Sequence, residues 1–441
     1  MKLIILLFMI TLSLGTWGQS NLTVVAVGEA EVEKDLIGFV TPKLDALNAQ
    51  QATQMKELIE ILKSDFDFYR NLFIVEDKTI KKVSESKAKF VAEFEILKES
   101  DGFYLESVLK NIPGKVEVIK DKRKILFQDI RPFSHALADT FYRSLTGKKS
   151  IFESKIVFVS DRTSTKGKVR KELYIMDFDG KRKQKLTSLN SMIISPALSQ
   201  DNKKILYSLI EDRKKKNSSG VGYQNIKNLN LHLLDLETKK TKVISNELGI
   251  NSGAIFNKTG ESIYLTLSRQ KNADIYKMNL KTGAKRKITN HFAEDVDPHI
   301  NSDESLMTFL SGRPGKAMIY TLDPSSVEKN VKRISFVGRF NAAPRFNPKG
   351  TEIVFSSWVD DRFDIYRINS DGRNLVRLTK NFGSNEEPWY SPDGEFIVFT
   401  SQRVISRKKA TQDVYIMNRE GEIIRKITEG YGKIYTPRWS N

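Results

Sequence analysis

Side-chain chemistry needs nucleophiles, bases or metal ligands at workable spacing, and this chain offers few. His135, His232, His291 and His299 are its whole imidazole supply, and it has no cysteine. Without thiols there are no disulfides, no thiol catalysis, no cysteine-ligated zinc and no lipid-anchored N-terminal cysteine. His291 and His299 bracket Glu294, Asp295 and Asp297, a set of imidazoles and carboxylates that could hold a cation or pass a proton. Against that, Pro298-His299 occupies a fixed place in the repeat described below. His232 takes a position held by tyrosine in five other copies, which marks packing. No Gly-x-Ser-x-Gly elbow, His-Glu-x-x-His helix or phosphate loop occurs: Gly220-Val221-Gly222 lacks the later glycine, and Gly312-Arg313-Pro314-Gly315-Lys316 is too short. The residues predict no catalytic, cofactor or metal site, with one alternative left open, a cation held by acidic side chains in a central channel.

The chain that must position these residues is 441 long, 39% hydrophobic and 29% charged, the composition of a globular protein of two or three domains. Lys and Arg outnumber Asp and Glu by 72 to 54, a formal charge of +18 that favours acidic partners without choosing among nucleic acid, anionic lipid and acidic protein. The N-terminus narrows the choice. Met1-Lys2, an apolar run from Leu3 to Leu14, and small residues before a cut after Gly18 read as a secretory signal peptide over 1–18. The run is too short for a membrane span, and no later run approaches that length. An exported soluble chain is expected, with no membrane span and no nucleic acid partner.

Residues 19–151 read as an α/β domain. Met55, Leu58, Ile59 and Leu62 fall at helical spacing within Ala46 to Phe68, and Leu137, Phe141 and Leu145 do so within Arg131 to Leu145, before a stop at Gly147. Lys89 to Leu97 and Val116 to Phe127 are strand candidates. From 152 to 441 the texture changes to six copies of one layout. Their cores include Leu173-Tyr174-Ile175-Met176-Asp177, Leu231-His232-Leu233-Leu234-Asp235 and Val414-Tyr415-Ile416-Met417-Asn418, and successive copies lie 58, 44, 44, 46 and 49 residues apart. Each core follows an apolar strand such as Ile397-Val398-Phe399 and precedes a basic strand ending in Leu/Ile-Thr/Ser. A period of about 45 residues with four short strands is the size of a propeller blade. The expected fold is an α/β N-terminal domain followed by an all-β six-bladed β-propeller.

The chain ends on Pro437-Arg438-Trp439-Ser440-Asn441, an inner-strand motif, whereas the repeats begin at Ile156 without one. The last strand is therefore expected to complete the first blade and hide its edges. The interval of 58 comes from an insertion over Glu211 to Asn228, read as a long flexible loop carrying Arg213-Lys214-Lys215-Lys216. Loops entering the inner strands should ring one mouth of the channel, bringing Glu294, Asp295, Asp297, Asn341, Asn385, Glu386, Glu387 and Tyr435 there. A second loop set adds Arg162, Arg313 and Arg403. Such mixed charge suits a polar protein surface. Asn251-Ser252-Gly253-Ala254 lacks the proline and the charge of its counterparts.

Phe141-Tyr142-Arg143-Ser144-Leu145-Thr146-Gly147 before the first blade, with Leu173 to Gly180 and Trp389 to Gly394, resembles the TolB family of periplasmic propeller proteins. The resemblance covers essentially the whole mature chain. It implies a monomeric periplasmic adaptor without chemistry or cofactor. Such an adaptor binds the peptidoglycan-associated lipoprotein Pal through the propeller mouth and the inner-membrane protein TolA through a mobile N-terminal segment. Here that segment would present Leu22, Val24, Val25 and Val27. Other outer-membrane proteins as partners, support of envelope integrity and constriction in cell division, and use by imported bacteriocins belong to the same implication. The alternative is an exported propeller enzyme or carbohydrate-binding module acting on an acidic polysaccharide.

Overall fold

In the computed structural model the described residues are 34–440, apart from 217–221, 269–271 and 407–408. The expected signal peptide, 1–18, and the expected N-terminal segment with Leu22, Val24, Val25 and Val27 lie outside them. The N-terminal domain runs β1 (Asp35–Phe39), α1 (Ala49–Phe68), β2 (Phe73–Val75), β3 (Phe90–Glu99), β4 (Gly102–Asn111), β5 (Val116–Lys124) and α2 (Ile130–Thr146). Its sheet has the order β2-β1-β3-β4-β5, with β1 parallel to both neighbours and the rest antiparallel. Strand β4 is an addition to the sequence reading; its Leu105 and Leu109 alternate into the core. Asn48 and Gln51 cap α1 reciprocally, each side chain accepting the other's backbone N–H, at 2.9 and 3.1 Å. Gly147 closes α2 in the left-handed region at φ 71°.

The propeller has six four-stranded antiparallel sheets. We number them from the blade that holds Lys155–Ser160, whose inner strand is the chain's last, Ile434–Trp439. The expected closure is therefore the observed one, and Trp439 Nε1 fastens it by donating to Ser154 Oγ at 2.7 Å. The remaining inner strands are Ile193–Leu198, Asn251–Phe256, Asp295–Ile300, Asn341–Phe346 and Ser384–Tyr390. The insertion in blade 2 departs from the sequence reading. It is no loop but an extended hairpin in which Lys204–Lys216 pairs with Tyr223–Asp235 residue for residue. Period-2 pairing satisfies its backbone even though its polar side chains carry no strand pattern.

The two domains share one core. Phe68 packs on Phe178 and Phe396, and Tyr69 on Phe152 and Phe396. The Tyr69 hydroxyl donates to Asp393 at 2.6 Å and accepts the Ile151 N–H at 3.1 Å. The N-terminal domain thus sits beneath blades 6 and 1, against the turn that follows the inner strand of blade 6. That is the end remote from the mouth.

Candidate functional site

Each inner strand carries the same irregularity. Its ladder to the next strand slips once, and the residue at the slip lies at positive φ: Ser195, Gly253, Asp297, Ala343, Glu387 and Thr436, at 46–60°. Proline follows in every blade but blade 3, where Ala254 does, because a bulge leaves no ladder bond for that N–H to make. The bulge re-aims the strand so that the residue two places after it lines the axis. Going round from blade 2, these are Ala197, Ile255, His299, Arg345, Trp389 and Arg438.

Four of these six close the channel. Arg345 donates to Asp297 and Arg438 to Glu387, at 2.8 and 2.9 Å, each pair joining neighbouring blades. Both guanidiniums lie over Trp389, and His299 meets the same ring edge-on at 5.0 Å. Below this plug lies a chamber of about 220 Å³, walled by Phe256, His299, Phe346, Tyr390 and Trp439. Enclosure by protein, with Arg345 and Arg438 facing it, holds His299 well below the usual imidazole range, so it is neutral.

The structure sorts the expected mouth residues into three groups. Asp295, Asn341 and Asn385 are fully buried, which corrects the expectation that they face a partner. Asp295 pairs with Arg313 at 2.7 Å, Asn341 holds Val337 O and Ser357, and Asn385 holds Asp364. Asp295 and Asn341 are first and Asn385 second in their inner strands, and a polar side chain there stitches the entering loop to its blade. Asp297, Arg313 and Glu387 are half-buried in ion pairs, Arg313 also reaching Glu328 at 2.8 Å. Exposed at the mouth are Glu294, Arg162 over Tyr431, and Arg403 over Phe382, beside the partly exposed Glu386 and Tyr435. Burial, then the charge of Glu387, raises Glu386 to about 6.

Sequence reading missed the channel arginines, Arg345 and Arg438. Their signal was a position after the bulge proline that alternates among apolar, aromatic and basic types. It also missed the apolar tips of the entering loops, Phe292 and Phe336, 87% and 71% exposed. Two large bare aromatics on one face are a feature of docking surfaces.

Every histidine has an ordinary occupation. His232 Nε2 meets Glu211 at 3.1 Å, His291 Nδ1 accepts the Ala293 N–H, and His299 Nδ1 accepts the Phe346 N–H. His135 Nδ1 bonds Asp65 at 2.7 Å across the two helices, and burial raises Asp65 to about 6. One nitrogen of His135 and one oxygen each of Asp177 and Asp179 lie within 4.8 Å of one another. Lys155 and Arg182 already pair with Asp177, and Arg131 with Asp179. This cluster is an electrostatic clasp between domains.

Comparison with known proteins agrees with this architecture. The family model described as "TolB beta propeller domain" matches residues 142–343 and 330–441. The Tol-Pal system protein TolB of Francisella tularensis subsp. mediasiatica is 27% identical over 369 residues, 82% of this chain and 78% of its own. The holarctica subspecies counterpart gives the same identity and coverage. The crystal structure of TolB from Acinetobacter baumannii superposes with a TM-score of 0.74 over 93% of this chain and 98% of that one, at 23% identity.

Proposed function

The chain belongs to the TolB β-propeller family, and from that premise we propose that it is a non-catalytic adaptor of a Tol-Pal-type system working in the periplasm. Its mouth takes a Pal-like lipoprotein, and its N-terminal segment takes a TolA-like inner-membrane protein, linking the two membranes during constriction. The observation that carries the reading is the mouth itself. Bare Phe292 and Phe336 stand round a charged ring, and the channel beneath is closed by the Arg345 and Arg438 pairs. Such a face offers a protein surface apolar anchors and a polar rim, and the plug leaves a substrate no way through.

Further support lies in the histidines, each committed to a carboxylate or a backbone N–H. The test is calorimetric titration of the chain from Gln19 onward with the soluble domain of the same organism's Pal-like lipoprotein. Saturable one-to-one binding is expected, weakened at least about tenfold, or about 1.4 kcal/mol, in Phe292→Ser/Glu294→Lys. Both side chains are exposed, so the variant keeps the fold. Binding that ignores the change moves the surface elsewhere, and absence of binding overturns the reading.

A further inference from the structure

Two blades differ from the rest in one respect. The second strand is five to eight residues long in blades 1, 3, 4 and 5 but runs over Lys204–Lys216 in blade 2 and Phe396–Ser406 in blade 6. Beyond Leu209 and Gln402 neither has an inner-strand partner. Each continues with its third strand as a free hairpin, rising above the mouth by roughly 20 Å in blade 2 and roughly 13 Å in blade 6 at the usual strand rise. The taller one is braced at its root. Asn228 is buried there, donates to Glu247 O at 3.0 Å and accepts the Gly249 N–H at 2.7 Å, and Arg213 reaches Asn246 O.

Along their described lengths the hairpins present exposed apolar side chains beside cations. Val404 and Ile405 in blade 6 are 78% and 61% exposed, and Tyr223 in blade 2 is 69% exposed. Blade 1 lies between the two, and its corresponding loop shows exposed Val169 preceded by exposed Lys166 and Lys168. Lys214 and Lys215 stand exposed on the taller hairpin. That hairpin's own carboxylates are spent, Glu211 on His232 and Asn230, Asp212 on Lys227.

We propose that blades 6, 1 and 2 form a docking sector for an anionic lipid membrane on the rim of the mouth face. Val404, Ile405, Tyr223 and Val169 enter the headgroup boundary and the cations beside them meet lipid phosphates. Single exposed apolar residues mean little, but here three adjacent elements on the same side each carry one near exposed cations: Arg403 next to Val404, Lys168 next to Val169, and Lys214 and Lys215 on the hairpin of Tyr223. An interfacial anchor mixes the same two kinds of side chain, apolar ones that enter the acyl boundary and long cationic ones that reach the headgroups. A polyanionic glycan would engage the lysines and leave Val404 and Ile405 idle. The sector lies apart from Phe292 and Glu294 on blade 4, and the inference does not depend on the lipoprotein reading.

The test is co-sedimentation of the chain from Gln19 onward with vesicles of phosphatidylcholine alone or mixed with phosphatidylglycerol, with no protein partner present. Partition onto the mixed vesicles is expected and should fall with added salt. Lys214→Gln and Lys215→Gln should each weaken it about fivefold, and Val404→Ser/Ile405→Ser by at least as much. These are exposed hairpin positions, and unchanged circular dichroism would show the fold intact. Absence of partition, or partition indifferent to Val404 and Ile405, overturns the proposal. Retention on heparin by wild type and by Val404→Ser/Ile405→Ser alike, with vesicles ignored, overturns it in favour of a glycan patch.

Discussion

Glu386 is the residue at which charge and fold pull apart. Burial and neighbouring Glu387 lift its carboxyl from 4.5 to about 6 in the folded chain, so between those values the folded state holds a proton the unfolded state has released. Stability contributed by this group is therefore greatest below about pH 4.5 and falls as pH rises to about 6, where the penalty, about 1–2 kcal/mol, is complete. Glu386→Gln should stabilise the chain by that amount at about pH 7.5 and by nothing at about pH 4, as read by urea unfolding at the two values. Glu387 behaves differently because it neutralises Arg438, whose guanidinium is 4% exposed. Removing Glu387 would leave a buried charge unpaired, so the two adjacent glutamates cannot be exchanged together as one surface patch.

At the scale of elements, the repeat signature is a set of structural devices. In blades 1, 3, 5 and 6 the Leu/Ile-Thr after the basic strand lets the threonine hydroxyl accept the backbone N–H of Leu173, Ile275, Ile365 or Val414. The same hydroxyl donates to Glu172, Asp274, Asp364 or Asp413 in the third strand. Ser335 makes the corresponding bond to the Ile319 N–H in blade 4. The ring is then closed by one strand, Ile434–Trp439, whose Trp439 is 3% exposed. Trp439→Ala should cost about 3–5 kcal/mol. Because that strand alone covers the edge of blade 1, thermal unfolding of the variant should be followed by aggregation. A melting temperature within a degree or two of wild type would show that closure rests elsewhere.

Over the whole molecule, the apolar cores of the two domains are continuous through Phe68, Tyr69, Phe152, Phe178 and Phe396, so the domains should unfold as one unit. Calorimetry should show one endotherm for the wild-type chain. Phe178 is fully buried at the junction and packs against both Phe68 and the His135 ring. Phe178→Ala should lower stability by about 3–5 kcal/mol and split the transition into an earlier N-terminal and a later propeller component. A single transition shifted intact to lower temperature would place the coupling in the polar clasp of Arg131, Asp179 and His135.

The amino-acid sequence by itself determined the blade count, the closing strand and the α/β domain ahead of the propeller. Each of these follows from local periodicity: apolar alternation in strands, helical spacing in α1 and α2, and a turn signature recurring about every 45 residues. It also marked the mouth loops, since the bulge prolines at 196, 298, 344, 388 and 437 fix where the inner strands begin. Which of the mouth side chains remain at the surface was decided only by tertiary structure. Asp295 and Asn385 read like Glu294 and Glu386, but alternation along a bulged strand turns the former inward and the latter outward, and a slip of one residue reverses the result. The channel arginines, the paired form of the blade 2 insertion and the shared domain core depend on contacts between residues far apart in the chain. No local pattern encodes those contacts.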